Sequence, residues 1–260
     1  MLTSDELSED EIRRYARHIV LPELGGTGQL RLKAARVLVI GAGGLGSPAL
    51  LYLAAAGVGA LGIVDDDAVS LSNLQRQVLH ATPDVGAPKT ESAARALARL
   101  NPHVAVETYP RRLDAALAAT LIPAHDLVLD GSDNFGTRYL VNAACVAAGK
   151  PLVAAAMSQW EGQIAVFDPA RGGPCYQCVF PEPPAPELMP ACAQAGIVGA
   201  LPGVMGAMMA LEAIKLITGA GAPLRGALMI YDALYAETRR IRTTPRPDCP
   251  VCHGAGASVR

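Results

Sequence analysis

A glycine-rich loop is the first candidate for chemistry in this chain, because its spacing suits phosphate groups. The letters GAGGLG occupy positions 41–46, directly after the apolar run VLVI. Their Gly-x-Gly-x-x-Gly spacing lets a backbone turn tightly and present N–H groups to phosphate at the start of a helix. An acidic side chain after the next apolar run can accept hydrogen bonds from ribose hydroxyls. The pattern therefore predicts a nucleotide site, although tight turns between packed elements use similar glycines; its residues are Gly41, Gly43, Gly44, Gly46 and Asp65.

Three polar side chains beyond Asp65 favour a triphosphate over a redox dinucleotide. Asn73 and Arg76 belong to the string NLQRQ at 73–77, and Lys89 ends the string GAPK at 86–89. Arginine can bind two phosphate oxygens at once, and lysine adds a compact positive charge. A site for NAD or FAD has only a diphosphate to neutralise and needs no such cluster. Each residue taken singly could equally belong to a solvated polar loop.

Asp133 is a candidate ligand for Mg²⁺. It follows the string DLVLD at 126–130, at the carboxyl end of a predicted strand, where open α/β sheets bind their ligands. A carboxylate in this place could hold Mg²⁺ against phosphate oxygens. A helix N-cap is the alternative role for an aspartate in this position.

Four of the six cysteines form two Cys-x-x-Cys pairs, a spacing typical of metal sites. Cys175 and Cys178 make the first pair, and Cys249 and Cys252 make the second. Four thiolates can hold Zn²⁺ tetrahedrally with no open position for a substrate, which predicts a structural role. Two unrelated redox or free-thiol pairs are the alternative. Cys145 lies among Ala and Val and is predicted to be a core residue.

Taken together, these strings resemble the ThiF/MoeB/HesA family of adenylyltransferases, which is similar to ubiquitin-activating enzymes. Within that family the chain resembles the bacterial molybdopterin-synthase adenylyltransferases. The resemblance runs from RYAR at 14–17 to the last cysteine pair, and it rests on GAGGLG, DDD at 65–67, SLSNLQRQ at 70–77, GAPK and SDN at 132–134. It implies a Rossmann-like fold that binds ATP and Mg²⁺.

The resemblance also implies a role for each candidate residue. Asp65 would hold the ribose, and Asp133 would hold Mg²⁺. The phosphates would be bound by Asn73, Arg76 and Lys89. In a homodimer, Arg17 would reach the phosphates bound by the other subunit, a role that the sequence alone does not indicate.

The activity that the resemblance implies is ATP-dependent activation of a small ubiquitin-like sulfur-carrier protein. The carrier's C-terminal glycine carboxylate would attack the α-phosphate, pyrophosphate would leave, and an acyl-adenylate would form. Because a carboxylate is a weak nucleophile, the enzyme must position it and stabilise the developing charge. The carrier could serve molybdopterin, thiamine or another pathway, because family members share these motifs. No rhodanese-like domain follows Cys252, so a separate protein is expected to donate sulfur.

Cys192 is a second, separate candidate for chemistry. In the family, this place often carries a thiol that becomes acylated or persulfide-linked, so Cys192 could be a sulfur-transfer thiol. Ala191 precedes it where a Thr or another polar residue is common. A free loop cysteine without a catalytic role is the alternative.

Two other functions stay open at this point. An NAD-dependent oxidoreductase could use the same glycine loop, but it does not explain Asn73, Arg76, Lys89 or the cysteine quartet. A non-catalytic, zinc-stabilised protein could merely dock a carrier, but it would leave the phosphate cluster without a role. The adenylyltransferase hypothesis uses all of these features.

Alternating strand and helix patterns predict a doubly wound, mostly parallel α/β sheet with late antiparallel strands and a zinc-stapled C-terminus. We expect a single domain over 1–260, with an N-terminal helix over 8–21 that opens on a capping box, and a flexible glycine connection over 25–28. The nucleotide-binding core is predicted over 36–157 and an irregular crossover over 172–196. A C-terminal helix, strands and the second cysteine pair are predicted over 197–252. The predicted strands are 36–40, 61–65, 126–130, 152–156, 163–167, 227–231 and 237–242, and the other helices are 47–56, 88–100, 135–148 and 201–216.

Composition narrows the class of protein further. The chain has 260 residues, is 51% hydrophobic and carries a net charge of −2, so it can bury a large core and shows no bulk charge for nucleic acid or anionic membranes. Charge-free runs at 37–64 and 191–211 are long enough to cross a bilayer, but glycine and proline interrupt them. The acidic N-terminus does not fit a signal peptide, so the cytoplasm is the expected compartment.

Overall fold

The computed structural model describes residues 6–183 and 196–253 and contains one eight-stranded sheet within those ranges. The strands are β1 (Arg36–Ile40), β2 (Ala60–Val64), β3 (Ala105–Tyr109), β4 (Leu127–Asp130), β5 (Leu152–Ser158), β6 (Glu161–Phe167), β7 (Ala227–Asp232) and β8 (Glu237–Arg242). Their order across the sheet is β3-β2-β1-β4-β5-β6-β7-β8. The first five strands pair in parallel, and β5 to β8 pair antiparallel. The predicted fold class is confirmed.

Helices cover both faces of the parallel part of the sheet. They are α1 (Glu9–Arg14), α2 (Ala16–Ile19), α3 (Gly25–Ala34), α4 (Gly46–Ala56), α5 (Lys89–Leu100), α6 (Ala115–Leu121), α7 (Phe135–Ala148), α8 (Tyr176–Val179) and α9 (Ala200–Thr218). Because side chains alternate along a strand, Val37 and Val39 of β1 pack into one core with α3, α4, α5 and α9. Leu38 and Ile40 pack into the other core with α6, α7 and α8. This double burial explains why the run VLVI has no polar position.

The N-terminal segment differs from its prediction in two places. The capping box of Ser8 and Glu11 forms, but the helix divides at Tyr15, whose buried hydroxyl accepts a bond from Asn101 Nδ2 at 2.8 Å. Residues 25–34 are helical rather than a flexible connection. Gln29 explains this, because its Nε2 donates to the Ala56 carbonyl at 2.8 Å and ties the glycine-rich helix to α4. Tertiary contacts thus outweigh the low helix propensity of glycine.

Helix α9 is long and apolar enough to cross a membrane by composition alone. It packs on α4 and on the sheet, however, and Met205 and Met209 on its inner face are fully buried. Its Gly206 faces Pro48 of α4 so closely that an added Cβ would lie 2.3 Å from the ring. We therefore describe α9 as a core helix of the α/β domain.

Candidate active site

The glycine loop joins β1 to α4 at the carboxyl ends of the parallel strands. Gly41 has a φ of +89°, a conformation that a side chain would strain. At Gly46 an added Cβ would lie 1.8 Å from the Gly41 carbonyl oxygen, so the loop folds back on itself there. The N–H groups of Gly43, Gly44 and Leu45 donate to no atom within residues 6–183 and 196–253. They are therefore available to a phosphate at the N-terminus of α4.

The loop forms one wall of a cleft of about 400 Å³. Most of the sequence-predicted nucleotide residues line this cleft, namely Gly41, Gly43, Gly44, Asp65, Arg76, Lys89 and Asp133. Gly46 lies behind them as the first residue of α4, and Asn73 contacts Arg76 rather than the cleft itself. Arg17 is exposed on α2 and does not line the cleft. Cys192 lies outside the described residues.

Asp65 links the glycine loop to the end of β2. Its Oδ2 accepts a hydrogen bond from the Ala42 N–H at 2.7 Å, and its Oδ1 accepts one from the Asp67 N–H at 2.8 Å. Burial raises the pKa of the Asp65 carboxyl, against the lowering effect of the Lys89 charge and of these two N–H groups. The carboxylate can accept hydrogen bonds from ribose hydroxyls while it also holds the glycine loop in place.

Lys89 begins α5 and points its ammonium group into the cleft. It is 4% exposed, and its Nζ lies 2.7 Å from Oδ2 of Asp67. Its own backbone N–H donates to the Asp67 carbonyl at 2.9 Å. This ion pair keeps a buried positive charge compensated beside the glycine loop. The position suits the neutralisation of a phosphate oxygen.

Arg76 is fixed by the turn that precedes it. Its Nη2 donates to Oδ1 of Asn73 at 3.1 Å, and its Nη1 donates to the Ser72 carbonyl at 3.3 Å. Asn73 thus orients the guanidinium of Arg76, which is one of the residues lining the cleft. A guanidinium held in this way can bind phosphate in bidentate fashion.

The loop after β4 carries Asp133 to the cleft. Its neighbour Asn134 is the N-cap of α7, accepting the Thr137 N–H at 2.9 Å, so the capping alternative for Asp133 is wrong. Arg138 Nη2 donates to the Ser132 carbonyl at 2.7 Å and holds the loop in place. Asp133 itself is exposed on the cleft wall and offers a carboxylate, the hard oxygen ligand that Mg²⁺ prefers. Three other carboxylates, those of residues 65–67, also lie close together.

Further polar residues of the site were not predicted from the sequence, among them two arginines, a glutamine and a histidine. Arg111 and Arg112 line the cleft because they follow β3, an edge strand without a clear sequence pattern. Gln77 also lines it, with a buried Oε1 that has no hydrogen-bond partner among the described residues. His80 is buried below the glycine loop. Gln77 belongs to the string that carries Arg76, and this is the signal that could have identified it, whereas His80 lies three residues beyond that string.

The four paired cysteines lie together, and none of them lines the cleft. The Sγ of Cys175 is 3.8 Å from that of Cys178 and 3.6 Å from that of Cys249, and Cys178 and Cys252 are 3.3 Å apart. Four thiolates about 2.3 Å from a tetrahedral zinc would lie roughly 3.8 Å apart, so the set fits. Burial raises the pKa of Cys175 to about 11, which a bound cation would reverse. The backbone N–H of Arg246 donates to Cys178 Sγ at 3.4 Å.

The fold and the cleft define a Rossmann-like nucleotide-binding protein, and comparison with known proteins identifies its family. Residues 15–251 match the ThiF family. The chain is 52% identical to the sulfur carrier protein adenylyltransferase of Thermus thermophilus over 249 residues, 94% of this chain and 92% of that protein. It is 54% identical to the adenylyltransferase and sulfurtransferase MOCS3 of Mus musculus, matching 95% of this chain but 54% of that protein, so it spans about half the length of this relative.

A solved structure agrees in fold. E. coli MccB with MccA-N7isoASN superposes with a TM-score of 0.80 at 26% identity, over 92% of this chain and 74% of that one. The family resemblance seen in the motifs is confirmed: this chain belongs to the ThiF family.

Proposed function

We propose that the chain is an ATP-dependent adenylyltransferase that activates the C-terminal glycine carboxylate of a small ubiquitin-like sulfur-carrier protein. The observation that carries the proposal is a single cleft that combines an N–H-rich glycine loop, an aspartate bonded to that loop and two fixed cations. The relatives named for sulfur-carrier adenylylation support the substrate class. Neither an NAD oxidoreductase nor a docking protein requires this combination.

Each side chain has a defined task in the reaction. Asp65 accepts hydrogen bonds from the ribose hydroxyls, and the N–H groups of the glycine loop bind phosphate oxygens. Arg76 and Lys89 stabilise the negative charge that develops on the departing pyrophosphate. Asp133 would hold Mg²⁺, which supplies further charge neutralisation to the phosphates when bound. No general base is needed, because the attacking carboxylate is already ionised at neutral pH.

The proposal extends to a second copy of the chain, a sulfur donor and a metal ion. Arg17 is exposed and does not line the cleft of its own chain, so in a homodimer it would serve the partner's cleft. The sulfur would come from a separate donor protein, and the carrier's pathway would be molybdopterin or thiamine synthesis. The reduced cysteine quartet fits a structural Zn²⁺ and a reducing compartment such as the cytoplasm.

Carrier-dependent ATP–pyrophosphate exchange tests the proposal against its rivals. The purified chain is mixed with Mg²⁺, ATP, labelled pyrophosphate and a ubiquitin-like carrier ending in Gly-Gly. Exchange that requires the carrier and its terminal glycine is the expected result. Carrier binding without exchange would support the docking protein instead, and NAD-dependent turnover without exchange would support the oxidoreductase.

A further inference from the structure

We infer that His80 is a positioning residue that holds the glycine loop in its phosphate-binding form and joins it to the segments carrying Arg76 and Lys89. The inference rests on the proposed function. The imidazole is 6% exposed. Its Nε2 lies 2.9 Å from the Ala42 carbonyl oxygen, and its Nδ1 lies 2.9 Å from Oγ of Ser92.

The tautomer of His80 follows from its partners. The Ala42 carbonyl can only accept, so Nε2 carries the proton. Burial lowers the pKa of His80, and the charge of Lys89 lowers it further, so the ring is neutral and Nδ1 accepts from the Ser92 hydroxyl. The imidazole is thus one donor aimed at the glycine loop and one acceptor anchored on α5.

The bond to Ala42 matters because it sets the direction of the next N–H. In a trans peptide the C=O and the following N–H point to opposite sides. His80 and Ser47, whose Oγ lies 3.2 Å from the same oxygen, hold the Ala42 carbonyl on the buried side. The N–H of Gly43 is consequently directed away from His80, and Gly43 lines the cleft. Asp65 fixes the other end of the Ala42 residue through its N–H.

His80 also connects the two cationic segments. Its backbone N–H donates to the Gln77 carbonyl at 3.1 Å, and Gln77 donates to the Asn73 carbonyl at 2.9 Å, so His80 ends the turn that presents Arg76. Ser92 lies one helical turn after Lys89 on α5. The neutral ring of His80 therefore fixes the relative positions of the glycine-loop N–H groups, the Arg76 guanidinium and the Lys89 ammonium.

The test compares His80→Leu, which removes the ring nitrogens, with His80→Gln, whose amide can still donate to Ala42. His125→Leu is the matched control. His125 is also a buried histidine bonded to a backbone carbonyl, that of Leu121 at 2.7 Å, but it precedes β4 at the opposite end of the strands. Calorimetry measures the Kd of Mg-ATP, exchange kinetics give KM for ATP and for the carrier, and thermal melting follows the fold.

His80→Leu is expected to weaken Mg-ATP binding at least about tenfold and to raise KM for ATP while KM for the carrier stays unchanged. His80→Gln should recover most of the affinity, and His125→Leu should lose stability without losing affinity for ATP. Wild-type ATP affinity in a folded His80→Leu, or an equal loss in both leucine variants, would overturn the inference. If His80→Leu does not fold, Ser92→Ala decides: weaker ATP binding supports the inference, and unchanged binding overturns it.

The outcome is separable from that of the proposed function. A wild-type chain that binds Mg-ATP in a His80-dependent manner but shows no carrier-dependent exchange defeats the proposed function alone. Carrier-dependent exchange with full ATP affinity in the His80 variants defeats the inference alone. A wild-type chain that binds no Mg-ATP defeats both.

Discussion

The ammonium of Lys89 lies 2.7 Å from the carboxylate of Asp67, and the two partners differ sharply in burial: the lysine side chain is 4% exposed and the aspartate side chain 67%. The positive charge is therefore held inside the cleft by a carboxylate that water still solvates. A phosphate oxygen can approach the ammonium while Asp67 remains hydrated. The pair thus keeps a buried cation stable before the ligand arrives.

Because the two partners differ in burial, Lys89→Met should reduce ATP-dependent activity much more than stability. Asp67 stays solvated when its partner is removed, so little stability should be lost, while ATP loses a charge-assisted bond that contributes roughly 2–5 kcal/mol. We expect exchange activity to fall at least about 30-fold, measured at saturating carrier.

Lys33→Met is the matched control. Lys33 pairs with Glu11 at 2.8 Å, but there the carboxylate is the buried partner at 5% exposure. Its removal should destabilise the fold by about 3–5 kcal/mol and leave ATP affinity unchanged. If Lys89→Met costs stability rather than exchange activity, its assigned role is wrong.

Asp65 predicts a specific pH dependence of ATP binding. Only the ionised carboxylate can accept both a loop N–H and ribose hydroxyls, and burial raises the pKa of Asp65 above its ordinary 3.8. Acidification should therefore remove its contribution at a higher pH than for an exposed aspartate. The ratio of the Kd of Asp65→Asn to that of the wild type isolates this effect, because phosphate protonation is common to both proteins. We expect the ratio to fall towards one as the pH is lowered; a ratio that is constant with pH would contradict the assignment.

The cysteine quartet predicts one zinc ion per chain. The metal would join α8 to the segment after β8, so Cys249→Ser should lose the ion and destabilise the fold by more than about 4 kcal/mol. Cys145→Ala is the control, because Cys145 lies on α7, is buried in the core and should leave the metal content unchanged. Elemental analysis of protein purified without chelator provides the measurement, and the absence of zinc from that protein would refute the prediction.

Cys192 is predicted from sequence to be dispensable for adenylation, since that step involves a carboxylate and phosphates but no thiol. Cys192→Ser should retain full pyrophosphate exchange. Its effect on carrier thiocarboxylate, assayed with a sulfur donor, distinguishes a sulfur-transfer thiol from a free loop cysteine. Loss of exchange in a folded variant would show that the residue contributes to the nucleotide site.

The sequence predicts the parallel core well because its strands are buried on both faces. The run VLVI before the glycine loop has no polar position, and the predicted strand 36–40 that contains it matches β1 residue for residue. By contrast, β3 is an edge strand with the sequence AVETY, whose partial exposure leaves no continuous apolar run. Because β3 was not predicted, Arg111 and Arg112 were not identified as site residues, since the strand that precedes them is what brings them to the cleft.

The role of His80 could not be predicted for a different reason. A histidine near the end of NLQRQVLH could pack anywhere, and only the fold shows that it reaches the Ala42 carbonyl, 38 residues away in sequence. Similarly, the alternative role of Asp133 as a helix cap failed by one residue of register, because Asn134 caps α7 instead. Local patterns identify which side chains could take part in binding or chemistry, whereas long-range contacts decide which role each side chain has.

Intact-mass spectrometry of the carrier tests the central claim most directly. A ubiquitin-like carrier ending in Gly-Gly is incubated with Mg-ATP, pyrophosphatase and the chain, and its mass is measured without a sulfur donor. The account predicts a gain of one adenylyl group on the wild-type carrier. It predicts no gain on a carrier lacking the terminal glycine, or with the Arg76→Ala variant. Arg95→Ala, which removes an arginine that pairs with Asp84 away from the cleft, should behave as wild type. An unmodified carrier with the wild-type chain, under conditions where Mg-ATP and the carrier both bind, would contradict the account.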